Sequence, residues 1–262
     1  MSDYTLSNEW AHAQQRLKGL ADWFDPGTRR CLEDRGLARG WRCLEVGAGF
    51  GSIASWLAER VGPSGSVLAT DIDTRFLRPS GHLSVLEHDI MRAPLPQGDF
   101  DLIHARFVLE HLAAPEQAIR HMSAALRPGG VLVIEDTDYS SWLPAPQVTE
   151  EGRQIFAKWS AALREVLTEA GGDMGAGRRR LADLIGAGFT QVDAEGRVYM
   201  VRGASLGAEV WRLTAEQLRE RALATGRITA AELTRYLELL TQPSFIWMEG
   251  MVMATWGIRP AS

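Results

Sequence analysis

The chain has 262 residues, 45% of them hydrophobic and 23% charged, with a net charge of −5 and two cysteines. That length and composition suit one large α/β domain with its own core and exclude global disorder or a fibrous repeat, while two cysteines exclude a disulfide framework. The acidic balance argues against nucleic acid as a partner, because such binding draws on Lys and Arg neutralising phosphates.

No apolar run approaches the roughly 18–20 residues that span a bilayer, so no membrane partner is expected. The first ten residues, MSDYTLSNEW, show no basic segment before an apolar core. The expected compartment is therefore a reducing cytoplasm. The one basic run, Arg178 to Arg180, reads as a solvated helix face.

In chain order, Trp10, Leu17, Leu20, Trp23 and Phe24 recur at helical steps. Residues 1–40 thus read as a helical preface, broken at Asp25-Pro26-Gly27, with Thr28 capping a second helix. From Trp41 the pattern becomes short apolar runs alternating with helical segments. Strands are expected at 42–46, 66–70, 83–87, 100–105 and 130–135, and helices at 52–61, 74–78 and 115–126. This alternation implies a parallel sheet with crossover helices, which binds its ligands at the carboxyl ends of the strands. Beyond Glu135 a loop carrying Tyr139, Trp142, Pro144 and Pro146 leads to a helix at 148–170 and a Gly-rich segment at 171–177. A helix at 179–187, a strand at 190–201, helices at 206–224 and 229–240, and a strand at 245–256 follow. The expected organisation is the preface followed by one domain at 41–262, with a helical cap inserted at about 205–242.

The sharpest motif is CLEVGAGFG, Cys43 to Gly51, between a strand and a helix. Gly47, Gly49 and Gly51 permit a tight turn and close approach of backbone to a ligand. The spacing is not the G-x-G-x-x-G that faces a pyrophosphate with a helix N-terminus. Instead Glu45 stands inside the strand, where a carboxylate repels phosphate and attracts an ammonium. Asp71, at the tip of the second strand in LATDID, is placed to accept hydrogen bonds from both hydroxyls of a ribose. Asp89, in EHDIM after the third strand, is placed to accept from an adenine amino group. Together the three acids call for a cofactor with an adenosine and a positively charged amino-acid part.

LEVGAGFG, VLATDID, EHDIMRAPLPQGDFDLIHARFVLEHL and LRPGGVLVIED occur in an order and spacing that resemble the class I S-adenosylmethionine-dependent methyltransferases, over Trp41 to Asp138. The nearest likeness is to small-molecule enzymes of the quinone-biosynthesis-like and secondary-metabolite groups. The resemblance implies an α/β, Rossmann-like sheet of seven strands, order 3-2-1-4-5-7-6, with the last strand antiparallel. It also implies that Glu45, Gly47, Ala48 and Gly49 line the methionine part and that Asp71 holds the ribose. Ile72 then packs on the adenine, Asp89 and Ile90 flank it, and the backbone of Ala105 and Arg106 lies near the methionine amine.

Other constellations are sparser. His104 and His111 have no Cys or carboxylate at metal-ligand spacing, so no metal is expected. No G-x-S-x-G elbow is present. Trp23, Trp41, Trp56 and Trp256 are expected in the core, and Trp10, Tyr139, Trp142 and Trp159 along an apolar acceptor pocket. In FVLEHL, His111 opens the helix after strand four and is the candidate general base, on the premise of a near-neutral pKa, with Glu110 and Tyr139 behind it.

The function expected is metal-independent transfer of a methyl group from S-adenosyl-L-methionine to oxygen or nitrogen of a small organic acceptor. The two rivals are a nicotinamide-dependent dehydrogenase and a non-catalytic protein that binds the cofactor as a regulator. The preface and cap are expected to form the lid over the acceptor.

Overall fold

A computed structural model describes residues 5–96 and 99–261. Helix α1 (Ala13–Asp34) precedes strand β1 (Arg42–Val46), helix α2 (Ser52–Val61), β2 (Ser66–Asp71), β3 (Leu83–Glu87) and β4 (Phe100–Arg106). A 3₁₀ turn at Leu109–His111 leads to α3 (Pro115–Ala125) and the long β5 (Leu126–Asp138). Then come β6 (Leu143–Pro144), α4 (Glu150–Glu169), α5 (Ala176–Gly186), β7 (Thr190–Arg197) and β8 (Met200–Arg202). Helices α6 (Leu206–Gln217), α7 (Arg219–Ala224) and α8 (Ala230–Leu239) lead to β9 (Ile246–Met248) and β10 (Met251–Ile258).

Among the described residues the main sheet runs β3-β2-β1-β4-β5-β10-β7, with β10 antiparallel to both neighbours and β1 to β5 parallel. This is the expected order, β7 and β10 being its sixth and seventh strands. Its central strands are buried on both faces, as the continuous apolar runs require: Cys43, Leu44, Leu102, Ile103, Leu132, Val133 and Ile134 are inaccessible. One face packs on α2 through Ile53, Leu57 and Val61 and on Leu32 of α1; the other packs on Ile119 and Met122 of α3 and Leu184 of α5. A third cluster joins α4, the cap helices and a small sheet, with Trp159 stacked on Tyr236 at 5.2 Å. No helix of the described residues is long and apolar enough to cross a membrane.

Several expectations fail, each for a tertiary reason. The preface does not break at Pro26, which lies inside a continuous α1. Residues on both sides of the proline are tied to the sheet. Arg106 Nη2 donates to Asp25 Oδ1 (2.8 Å), and the Thr28 hydroxyl donates to Glu135 Oε2 (2.7 Å) while accepting from Arg106 Nη1 (2.8 Å). These contacts offset the hydrogen bond that proline removes. The helix expected at 74–78 is a turn, because the Asp73 carboxylate takes the Arg75 N–H (3.1 Å) and Pro79 closes the segment.

The strands expected at 190–201 and 245–256 are each two strands. Their outer parts, β8 and β9, leave the main sheet and pair with β6 in the order β6-β9-β8. Gly250 marks this corner, where a Cβ would meet Thr137 Cγ2 at 2.7 Å. The helix expected at 206–224 divides at Leu218 into α6 and α7. The basic run is a solvated face only at Arg178 and Arg179, and Arg180 is buried. Arg178 pairs with Asp138, Arg179 with Asp173, and the buried Arg180 with Asp136 and Asp183.

Preface and cap meet directly. Gly19 lets α1 approach α6 so closely that a Cβ would stand 2.7 Å from Val210 Cγ2. Together they cover the carboxyl ends of β1, β2 and β4.

Candidate active site

A cleft of about 820 Å³ opens at those strand ends, at the upper side of the roughly 300–1,000 Å³ usual for ligand sites. Its floor is the turn from β1 to α2. Gly47, Gly49 and Gly51 have φ of +68°, +53° and +81°, which L side chains adopt only at a cost. At Gly47 a Cβ would also stand 2.2 Å from Val108 Cγ2. The loop is fixed from the next strand: the Ala48 N–H donates to Thr70 O (3.0 Å) and the Gly49 N–H to Asp71 Oδ2 (2.8 Å). Asp71 Oδ1 accepts from the Asp73 N–H (3.0 Å), so the carboxylate is oriented by two backbone donors and still has lone pairs toward the cleft. Burial pushes its pKa up, and the N–H groups of Gly49, Asp73 and Ile72 pull it back.

Asp89 faces the same end, with Oδ1 held by the Met91 N–H (2.9 Å) and Oδ2 beside Arg92 (3.1 Å). Ile90 is buried and Ile72 is 38% exposed at the rim, an apolar side chain open to a flat partner. Glu45 and Ala48 complete this wall. Glu45 is already engaged: its Oε2 accepts from His104 Nδ1 at 2.8 Å, across the pairing of β1 with β4. Arg106 borders the cleft but sends its guanidinium to Asp25 and Thr28, and Ala105 is sealed in the sheet and does not line it. Phe107, with φ +56°, is the non-glycine residue strained at this edge; its N–H is spent on Glu135 O (2.7 Å).

At the opposite end lie Glu110, His111, Tyr139 and Glu249. Glu110 Oε2 accepts from the Thr137 N–H at 2.6 Å, and burial beside Asp136 pushes its carboxyl up to about 8. Glu249 Oε2 accepts from the indole N–H groups of Trp211 (2.7 Å) and Trp247 (3.2 Å), and Oε1 from the Gly250 N–H (2.9 Å). Its burial raises the carboxyl to about 7. The Tyr139 phenol is also raised, by burial and by the two carboxyls. His111 sits in the 3₁₀ turn rather than opening a helix, with Nε2 3.7 Å from Glu110 Oε1. Desolvation, then Arg16, lowers its pKa to about 4, which corrects the premise of a near-neutral imidazole.

Of the aromatic residues expected along the acceptor pocket, Tyr139 is there and the three tryptophans are not. Trp142 stacks on Trp211 (4.6 Å) behind the wall, Trp159 is in the core, and Trp10 packs on His12 at the surface side of the preface. Trp23, expected in the core, and Trp211 of α6 line the cleft instead. Sequence reasoning missed Glu249, although a single carboxylate inside the apolar run FIWMEGMVM was a usable signal. Among the described residues, no three His, Cys, Asp or Glu side chains converge as a metal ion requires.

The sequence signature of a methyltransferase domain matches residues 44–134, the segment that builds the glycine loop, Asp71, Asp89 and β4. This segment is a class I methyltransferase domain. A ubiquinone/menaquinone biosynthesis C-methyltransferase UbiE of Pseudomonas paraeruginosa is 32% identical over 126 residues, which is 44% of this chain and 49% of that protein. The UbiE of Pseudomonas putida is 30% identical over 116 residues, 40% and 45% of the two chains. The chain thus spans about half the length of the curated relatives it matches. The fold likeness extends beyond the methyltransferase domain. A Haemonchus contortus phosphoethanolamine N-methyltransferase 2, solved with phosphomonomethylethanolamine and S-adenosylhomocysteine, superposes over 99% of this chain and 60% of its own (TM-score 0.60, 14% identity). The YcgJ protein of Bacillus subtilis does so over 86% and 94% (TM-score 0.52, 12% identity).

Proposed function

We propose that this protein transfers a methyl group from S-adenosylmethionine to a small organic acceptor, without a metal. The observation that carries the reading is the pairing of the glycine loop with Asp71. A cradle that a Cβ would fill lies against a carboxylate held ready by two N–H groups, inside a methyltransferase domain. Bound there, the cofactor supplies a methyl group activated on a sulfonium.

Asp71 accepts from the ribose hydroxyls, Ile72 and Ile90 enclose the adenine, Asp89 accepts from its amino group, and Glu45 adds negative charge beside the methionine amine. Gly47, Ala48 and Gly49 let the backbone approach. The preface and the cap close the far side through Leu17, Leu20, Val210 and Trp211, excluding water and holding the acceptor in line. His111, neutral above about pH 4, offers a hydrogen bond to the acceptor rather than strong basicity.

An oxygen or nitrogen acceptor is supported by the polar groups at this end, Glu110, His111 and Tyr139, which can orient an O–H or N–H. Carbon is the second reading, favoured by the C-methyltransferase names of the curated relatives. Incubation with S-adenosylmethionine carrying a ¹³C-methyl and a fractionated metabolite extract tests both. Appearance of S-adenosylhomocysteine with a labelled product supports the transfer, and the ¹³C shift of the new methyl separates heteroatom from carbon. Absence of cofactor binding by calorimetry would overturn it.

A further inference from the structure

Two buried carboxyls, Glu249 and Glu110, stand apart from the others: among the described residues Glu110 has only His111 within ion-pair distance (3.7 Å), an imidazole lowered to about 4. Asp25 faces Arg106, Glu45 faces His104, Glu135 faces Arg197, Asp136 faces Arg180 and Asp138 faces Arg178, each within ion-pair distance. Glu249 is 3% exposed and held by three neutral donors, two indoles and one backbone N–H, with no cation in ion-pair reach among the described residues. Burying a carboxylate in this way is costly unless something supplies the opposite charge. Glu249 also borders the cleft, whose lining includes Tyr139, Trp211, Leu163, Val210 and Leu218.

We propose that Glu249 is the anchor for the methyl acceptor and that the acceptor is an apolar amine whose cation completes this carboxylate's ion pair. The proposal deepens the methyltransferase reading and rests on it for assigning this end of the cleft to the acceptor. The donors fix the direction of the carboxylate before the ligand arrives. The two indoles belong to α6 and β9, so the anchor forms only when cap and small sheet are in place. The proposal names the group recognised, and it leaves the atom methylated to the geometry of the cofactor end.

The pH behaviour has a definite sign. With the carboxyl near 7 in the free protein, raising the pH from 6 to 8 ionises Glu249, while an alkylamine stays protonated. Amine affinity therefore rises with pH. The titratable groups around Glu249 are the phenols of Tyr139 and Tyr236, both raised and neutral in this range. Glu110, next to Tyr139, gains its charge near 8 and contributes in the same direction. Glu249→Gln retains Glu110, so the portion of the pH dependence lost in that variant belongs to Glu249.

The test is calorimetric titration of the full chain with 2-phenylethylamine and its uncharged counterpart 2-phenylethanol, with and without S-adenosylmethionine, from pH 6 to 8. The amine is expected to bind at least tenfold more tightly than the alcohol at pH 8, to lose close to tenfold between pH 8 and pH 6, and to lose its preference in Glu249→Gln. Cofactor affinity should change less than twofold. In that variant the amide oxygen still accepts from the indoles, but its NH₂ group faces the Gly250 N–H. The wild-type pH series therefore carries the test if the variant does not fold. Equal affinity for amine and alcohol, no amine binding, or a preference undiminished at low pH would overturn the proposal. Amine preference without cofactor binding would retain the anchor and reject the methyltransferase reading; cofactor binding without amine preference would do the reverse.

Discussion

At the end of the cleft beside β1 and β2, the wall is one nine-residue motif and two carboxylates, with backbone N–H groups doing most of the orienting. At the other end it is made by Glu110, Tyr139, Trp211 and Glu249, which come from four separate segments and are oriented largely by one another's neighbours. The first end needs only that β1 and β2 lie side by side, because a turn with positive φ and a carboxylate at a strand tip are local devices. The second exists only when preface, cap and both sheets have assembled, and burial raises its acids above the ordinary carboxyl range. An end built from backbone fits a group that never changes, whereas an end built from side chains on inserted elements can be altered without disturbing the sheet.

The contrast breaks hardest at Gly47. Gly47→Ala places a Cβ 2.2 Å from Val108 and forces a positive φ on alanine. The backbone cost alone is about 1–2 kcal/mol, so cofactor affinity measured by calorimetry should fall by about tenfold or more, with partial recovery in Gly47→Ala/Val108→Ala. Next comes Asp71→Ala, which should weaken the cofactor by about 1.5–3 kcal/mol, the scale of a lost charged hydrogen-bond partner. An unchanged dissociation constant in the folded variant would remove ribose recognition from Asp71.

The other end is probed by Glu110→Gln and pH. A carboxyl raised to about 8 in the folded chain binds its proton more tightly than in the unfolded one. Its contribution to stability is complete below the ordinary carboxyl pKa and is lost as pH climbs toward 8. Glutamine mimics the protonated form. From pH 5 to pH 8 the variant's Tm should therefore gain on the wild type by roughly 3 °C or more, the scale of 1 kcal/mol in a chain of this size. A constant difference would show Glu110 ionised throughout. The smallest effect is expected from Trp10→Ala. That ring packs on His12 and does not border the cleft, so turnover should change less than about twofold, the usual range for a surface substitution.

The sequence by itself determined the first five strands, two helices between them, the strand order implied by the resemblance, and the glycine turn at Gly47 with Asp71 and Asp89 after the neighbouring strands. These are written in short-range signals: apolar runs of strand length, a glycine spacing, an acid at a strand tip. Tertiary structure alone decided the rest. Pro26 sits in a continuous helix because Asp25 and Thr28 are tied to Arg106 and Glu135, far away in the chain. The strand patterns at 190–201 and 245–256 show no sign of a change of sheet, since β8 and β9 keep the apolar character of a strand while pairing elsewhere. Trp23 and Trp211 face the cleft while Trp142 and Trp159 do not, because which ring is covered depends on how α4, α6 and α8 pack. His111 near 4 and Glu249 near 7 follow from desolvation by neighbours that no local window contains. Burial is a sum over the whole fold, and so the chemistry it sets becomes legible only when the fold is complete.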